Sequence, residues 1–338
     1  MKRPLRNSHK ESSQSYDNFL DVLPDDLVVF ILSKLASTLS SPSDFTNTLL
    51  TCKRFNSLCF HQLVLSKLSV KAFAMKPKNW SEPAHNFLNR CANAGNLDAG
   101  YTLGMIRFYC LENRKSGLSL MAKAAMKCHA PALYSLAVIQ FNGSGSTSRD
   151  LRAGVALCAR ASLLGHIDAL RELGHCLHDG YGVRRDVDEG RKLLLQANVR
   201  ELAFVMHAVT QSPSSSTSLL TWRDWRLRDC KYLAEAVGSL GGYDGGAVQP
   251  VDWFMREWFE SGCGGLGEGL RLCSHIGCGR VETRAHEFRR CSVCGKVNYC
   301  SRGCQAVDWK LRHQMECSPV EVWDEDNGND GGDLEMGN

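Results

Sequence analysis

Missing from the 338 residues is any run of eighteen apolar side chains, so no segment is expected to cross a bilayer as a helix. Met1 to Ser15 is polar and holds no apolar h-region, so no secretory signal is expected either. Net charge is scarce: +4 over this length argues neither for nor against a nucleic-acid partner. No β-rich segment of any length occurs, which points to a mainly α fold. Even spacing is absent among the sixteen cysteines: eight lie between Cys263 and Cys317, and eight are scattered singly from Cys52 to Cys230. A disulfide scaffold is short and evenly stapled, whereas lone cysteines in Ala- and Leu-rich helical patterns read as small buried hydrophobes. A reducing compartment, nucleus and/or cytoplasm, fits that usage.

What is present suits two or three domains, since 43% apolar residues support a sizeable core. Residues 1–17 are charged and Ser-rich and read as disordered. Residues 209–269 read as a linker region, with QSPSSSTS at Gln211 to Ser218. It carries two Trp-containing helical candidates, Leu219–Val237 and Asp252–Glu260, parted by a Gly-rich break at Gly238 to Gly246. From Glu321 the tail, 319–338, has seven acids and no Lys or Arg, as a solvated end would.

The middle of the chain repeats itself: AGNLDAGYTLG at 94–104, KCHAPALYSLA at 127–137 and LGHIDALRELG at 164–174. Ala99, Ala132 and Ala169 correspond, as do Leu103, Leu136 and Leu173, at offsets of 33 and then 37. The extra residues fall in FNGSGSTSRD, where Gly143 and Gly145 match Gly180 and Gly182, and Asp150 matches Asp186. Each unit reads as helix, Gly turn, helix; one pair cannot bury its apolar face alone, so the units must stack. The stretch 80–208 resembles the Sel-one-like branch of tetratricopeptide repeats. That resemblance implies an α-solenoid whose concave surface takes another polypeptide.

The cysteine cluster falls into half-sites: Cys273-x4-Cys278, Cys291-x2-Cys294, Cys300-x3-Cys304 and His313-x3-Cys317. Zinc takes four N/S ligands, so eight suggest two ions, and i, i+4 pairs sit on one face of a helical turn. Such closed sites leave no position for a catalytic water, so the zinc is structural. His275-x2-Cys278 is an alternative first half-site, and spacing alone does not say how the pairs join. From Arg271 to Cys317, nine Lys/Arg stand against four Asp/Glu. That surplus reads as compensation for thiolates rather than a nucleic-acid footprint, since no helix has a groove reader's pattern. Tyr299-Cys300-Ser301, Cys304-Gln305…Asp308-Trp309 and His313…Cys317 make residues 270–318 resemble the MYND finger. The family's interleaved sites imply Cys273, Cys278, Cys300 and Cys304 on one zinc, with Cys291, Cys294, His313 and Cys317 on the other. They also imply contacts from Gln305 and Trp309 to proline-rich peptides.

Near the N-terminus, Leu23-Pro-Asp-Asp-Leu-Val-Val-Phe-Ile-Leu-Ser-Lys-Leu35 opens with Pro at a helix start. Leu27, Ile31 and Leu35 recur at helical spacing, joined by Phe30. With Thr51-Cys-Lys-Arg-Phe-Asn-Ser-Leu58, residues 18–70 resemble the F-box, although Phe55 replaces the more frequent Trp and Ala36 to Thr48 is longer than usual. The resemblance implies docking on a Skp-type adaptor of a cullin (SCF) ubiquitin ligase, through Leu23, Pro24, Leu27, Ile31 and Leu32. The order F-box, Sel-one-like repeats, MYND finger resembles a plant F-box group. The expected function is a non-catalytic substrate receptor; the alternative is a scaffold or transcriptional co-regulator that binds proline-rich peptides. Losing one ligand, as in Cys304→Ala, is expected to unfold the finger and leave the repeats intact.

Overall fold

The computed structural model describes residues 22–146, 148–210 and 249–319, without side chains for residues 146 and 202–210. The expected disordered N-terminus, the Gln211–Ser218 linker, the Leu219–Val237 helix, the Gly238–Gly246 break and the acids of the tail lie outside the described residues. The described chain is mainly α. Its only named strands there are two residues long. No described helix is long and apolar enough to cross a membrane.

Helix α1 (Asp25–Thr38) starts at Pro24, whose ring fixes φ near the helical value. Val28, Val29, Leu32 and Ala36 are buried, while Leu27, Phe30, Ile31 and Leu35 are all exposed. The residues picked out by periodicity thus face outward. Leu32 needs correcting: at 3% exposure it belongs to the core, so it is no surface contact. The long Ser/Thr-rich stretch is itself helical in α2 (Pro42–Thr51). Ser41 Oγ accepts from the Asp44 N–H, and the Asp44 carboxylate accepts from the Ser41 N–H at 2.9 Å, a reciprocal capping box. Two short helices follow, α3 (Lys53–Cys59) and α4 (Gln62–Ser66). From α3, Arg54 reaches back to Asp25 at 2.6 Å and to the Leu23 carbonyl, joining the two halves of the N-terminal motif.

Helix α5 (Glu82–Asn93) leads into three helix pairs. They are α6 (Leu97–Met105) with α7 (Arg114–Met126), α8 (Ala130–Asn142) with α9 (Leu151–Leu163), and α10 (Ile167–Asp179) with α11 (Val187–Thr210). The repeat correspondence has a direct physical basis. Ala99, Ala132 and Ala169 hold the same position in each first helix, and each is 0% exposed. Their N–H groups donate to the preceding caps: Asn96 Oδ1 at 2.9 Å, His129 Nδ1 at 3.2 Å and His166 Nδ1 at 3.2 Å. Gly143 and Gly180 close α8 and α10 at φ 63° and 72°, a left-handed conformation that favours glycine. Asp150 and Asp186 then cap the second helices. The first pair differs, because α6 runs on through a π-helical turn, Ile106–Cys110, instead of a Gly turn.

The N-terminal helices pack on this array. The Asn96 amide donates to the Leu65 and Leu68 carbonyls, and the Phe87 ring lies 5.5 Å from Phe45 and 6.5 Å from Phe73. Helix α12 (Pro250–Glu260), expected from Asp252, sets Phe254 edge-on against Trp80 at 5.5 Å. One apolar core therefore continues from Val28 to Cys304.

Burial pushes the His166 pKa down from 6.5 to about 4, against the raising effect of Asp168 and with Arg280 and His129 also lowering it. The folded state then binds fewer protons than the unfolded chain between these values, so this residue's contribution is complete above 6.5 and is lost as pH falls toward 4. His166→Asn keeps a capping oxygen, as Asn96 has. It should flatten the acid-side loss of stability, measured by urea unfolding at neutral pH and in the window between the two values.

Candidate metal centre

The C-terminal finger is built from short pieces whose registers set its thiols. Arg271 and Glu282 face each other across an antiparallel ladder: the Glu282 N–H donates to the Arg271 carbonyl and the Cys273 N–H to the Arg280 carbonyl, both at 2.9 Å. This ladder returns the chain so that Cys273 and Cys278 converge. It is locked by Glu282, fully buried yet satisfied, which accepts from Arg271 at 3.1 Å and from the Phe288 N–H at 2.9 Å. Strands β1 (Arg289–Arg290) and β2 (Asn298–Tyr299) flank the Cys291–Cys294 knuckle. Helix α13 (Arg302–Asp308) is capped by Ser301, whose Oγ accepts from the Cys304 N–H at 3.0 Å. A π-helical turn, Trp309–His313, carries it on to Cys317.

Two groups of four result: Cys273, Cys278, Cys300 and Cys304; and Cys291, Cys294, His313 and Cys317. Within each group the donor atoms lie within 4.8 Å of one another. In the first, Cys278–Cys300 and Cys300–Cys304 sulfurs are 3.6 Å apart. In the second, Cys291–Cys317 sulfurs are 3.9 Å apart, and Cys294 Sγ is 3.4 Å from His313 Nε2. Four sulfurs about 2.3 Å from one ion, arranged tetrahedrally, are separated by about 3.8 Å, whereas a disulfide needs about 2.05 Å. The spacing thus fits a shared metal ion, and no disulfide joins the cysteines among the described residues. The pairs interleave, first with third and second with fourth. Cys273 stands in the first group, while His275 Nδ1 is buried without a hydrogen-bond partner. Cys263 is exposed and apart from both groups.

Charge complements the first group from inside. Arg280, buried, donates to Cys278 Sγ at 3.4 Å and to Ser135 Oγ of α8 at 2.8 Å. Arg280 was not singled out from the sequence. Its only signal there was membership in the basic surplus, because its partner Ser135 lies 145 residues away. Of the peptide-contact candidates, Gln305 is half-buried, and Trp309 is 38% exposed with its ring edge-on to His313 at 5.7 Å. Trp309 thus packs against the second group and still presents a face to solvent. At the other end of the molecule, Leu23 is half-buried, and Pro24, Leu27 and Ile31 are exposed.

Fold and site together define a helical-repeat protein closed by a two-cluster cross-braced finger. Family models agree: "Plant tetratrico peptide repeats" matches residues 70–163, "Sel1 repeat" 167–198 and "MYND finger" 273–317. In Arabidopsis thaliana, F-box protein At5g50450 is 56% identical over 95% of this chain and 91% of its own length. F-box protein At1g67340 is 58% identical over 94% of this chain and 84% of its own. A crystal structure of a Sel1 repeat protein from Oxalobacter formigenes is similar over 33% of this chain and 86% of that one, at 20% identity and a TM-score of 0.31. The chain belongs to the family of plant F-box proteins that combine tetratricopeptide- or Sel1-type repeats with a C-terminal MYND finger.

Gly279, beside Cys278, lies against α12. A Cβ there would stand 2.2 Å from the Asp252 carbonyl oxygen and 2.5 Å from the Arg256 nitrogen, both backbone atoms that cannot swing aside. Gly279→Ala should therefore destabilise the protein by about 1–3 kcal/mol or more, read as a lowered thermal midpoint.

Proposed function

We propose that this protein is the substrate-recognition subunit of a cullin-type (SCF) ubiquitin ligase, acting by binding and not by catalysis, in the nucleus and/or cytoplasm. The observation that carries this reading is the outward face of α1. Leu27, Phe30, Ile31 and Leu35 are between 43% and 54% exposed, side by side on one helix, in a chain of the F-box family. An apolar patch left in water is unfavourable at roughly 25 cal/mol per Å², and such patches mark interaction sites. Leu23, Pro24, Leu27 and Ile31 would meet a Skp-type adaptor, with Leu32 supporting that face from beneath. The corresponding units are an F-box at 18–70, repeats at 80–208 and the finger at 270–318.

A purified Skp-type adaptor should retain the full chain in a pull-down. Ile31→Asp should weaken retention on the order of a hundredfold or more, as truncating a central interface anchor does. The helical circular dichroism should stay unchanged, since Ile31 is outside the core. Equal retention of both proteins, or of neither, would sink the reading.

The metal in both groups is assigned as structural Zn2+, held by Cys273, Cys278, Cys300 and Cys304 and by Cys291, Cys294, His313 and Cys317. Four N/S donors at tetrahedral spacing with no open position support zinc in a structural role. Elemental analysis of protein purified without chelator should find two zinc ions per chain; one or none would refute the assignment.

A second reading has its own observation, the solvent-facing side of Trp309 next to Gln305. Here the protein would be a scaffold or transcriptional co-regulator that holds a proline-rich peptide on the finger. Peptide binding lost in Trp309→Ala, in a protein that does not retain adaptor, would favour it.

A further inference from the structure

The finger lies on the side of the array formed by the first helices of the pairs. From α8, the Tyr134 hydroxyl is 3.1 Å from Ser301 Oγ, Ser135 accepts from Arg280 at 2.8 Å, and Asn142 donates to the Cys300 carbonyl at 2.8 Å. From α10, Glu172, 2% exposed, accepts from the Gly303 N–H at 2.7 Å. In the loop after α8, the Gly145 N–H donates to Thr283 Oγ1 at 2.8 Å. Apart from Thr283, the finger residues in these bonds cluster around the first thiol group. Cys300 belongs to it, Arg280 donates to Cys278, and Ser301 and Gly303 sit between Cys300 and Cys304. The second group meets the array differently, through the exposed Lys310, which donates to Asn198 at 2.6 Å.

We propose that the Cys273/Cys278/Cys300/Cys304 site is a keystone of the repeat array as well as of the finger. Its metal ion keeps α8 and α10 folded by fixing Arg280, Ser301 and Gly303 against Tyr134, Ser135 and Glu172. This rests on the assignment of metal to the thiol groups. Four ligands on one ion fix the Cys273–Arg280 turn and the Cys300–Cys304 turn together. Without it, both turns lose their mutual position: Glu172 loses the Gly303 N–H, Tyr134 loses Ser301, and Ser135 keeps only the Tyr101 hydroxyl at 3.1 Å. A buried carboxylate or hydroxyl stripped of its donor is strongly destabilising, so the penalty falls on α8 and α10 themselves. The four-thiolate complex carries a net charge of −2, and Arg280 is the buried cation beside it, so each makes the other's burial tolerable.

Two expectations from the sequence change accordingly. The finger's own bonds occupy part of the first-helix face along α8 and α10, which leaves the rest of the repeats, the finger, or both to receive a target. Cys304→Ala would also loosen the repeats instead of sparing them.

The test uses the full chain, zinc-loaded and kept reduced. Elemental analysis comes first: failure to find two zinc ions per chain would refute the metal assignment itself. With two ions present, hydrogen exchange is followed by mass spectrometry before and after removal with a chelator. Protection of Ala130–Asn142 and Ile167–Asp179 should fall on the order of tenfold or more. Unchanged protection there after both ions have left would overturn the keystone role and leave the metal assignment standing. The converse arm perturbs only the array, with Glu172→Ala. Pulsed thiol alkylation should then label Cys273, Cys278, Cys300 and Cys304 on the order of tenfold faster, with Cys291, Cys294 and Cys317 at the parent rate. Equal acceleration at both groups, or at neither, would also overturn it.

Discussion

A single buried guanidinium stands where the repeats, α12 and the finger meet. Arg280 donates to Ser135 of the array and to Cys278 of the first thiol group, and lies 5.8 Å from the Tyr134 ring centre. Its charge is also felt at Asp252 of α12, whose pKa burial raises to about 7 while Arg280 opposes the rise. A buried cation is tolerated only among groups that answer its charge. The Ser135 hydroxyl of α8 and the Cys278 thiol of the finger accept from Arg280, and the Asp252 carboxylate of α12 lies within range of its charge. These three groups come from segments far apart in the chain, so their meeting around Arg280 orders much of the tertiary arrangement. The same demand explains why Gly279 has no side chain: the turn into Arg280 must pass within contact distance of the α12 backbone.

Local features were readable because each has a local cause. Ala99, Ala132 and Ala169 mark the repeats since a larger side chain would not fit beneath each cap. Gly143 and Gly180 mark the turns since few other residues take that backbone conformation without strain. Cysteine spacing shows the two thiol groups since ligand geometry limits the intervening chain. Long-range contacts had no such signature. Glu172 and Gly303 are 131 residues apart, and Tyr134 and Ser301 are 167 apart; neither pair belongs to any period. Sequence alone therefore treats finger and array as separate modules. The choice between Cys273 and His275 was also beyond spacing. The ladder places Cys273 opposite Arg280, and Cys273, not His275, stands in the group of four.

Helix α1 shows the limit of periodicity from another side. Its sequence is apolar almost all round, and an apolar stripe does not say which neighbour covers it. Inside the fold, Val28, Val29, Leu32 and Ala36 take the core, and the stripe of Leu27, Ile31 and Leu35 is left outward. The Ser/Thr-rich run after it stood out in the sequence only as longer than usual. Ser41 and Asp44 turn it into a helix, because reciprocal capping satisfies the first free N–H groups. Composition averages over a segment, whereas a cap depends on two residues at one spacing.

A continuous core between the α1 module and the finger bears on how a receptor of this kind would work. In a ligase, the target must be presented at a set distance and direction from the adaptor, or its lysines will not meet the transferring enzyme. Two domains on a loose tether explore many orientations, and only a fraction would be productive. Here Asn96 bonds the N-terminal helices to the first pair, and the finger is bonded to the second and third. An adaptor on the outward face of α1 and a target on the finger would thus be related by packed structure rather than by linker. On this reading the metal has a role beyond the finger's own stability. By holding the finger on the array, it would fix the geometry between the two binding surfaces.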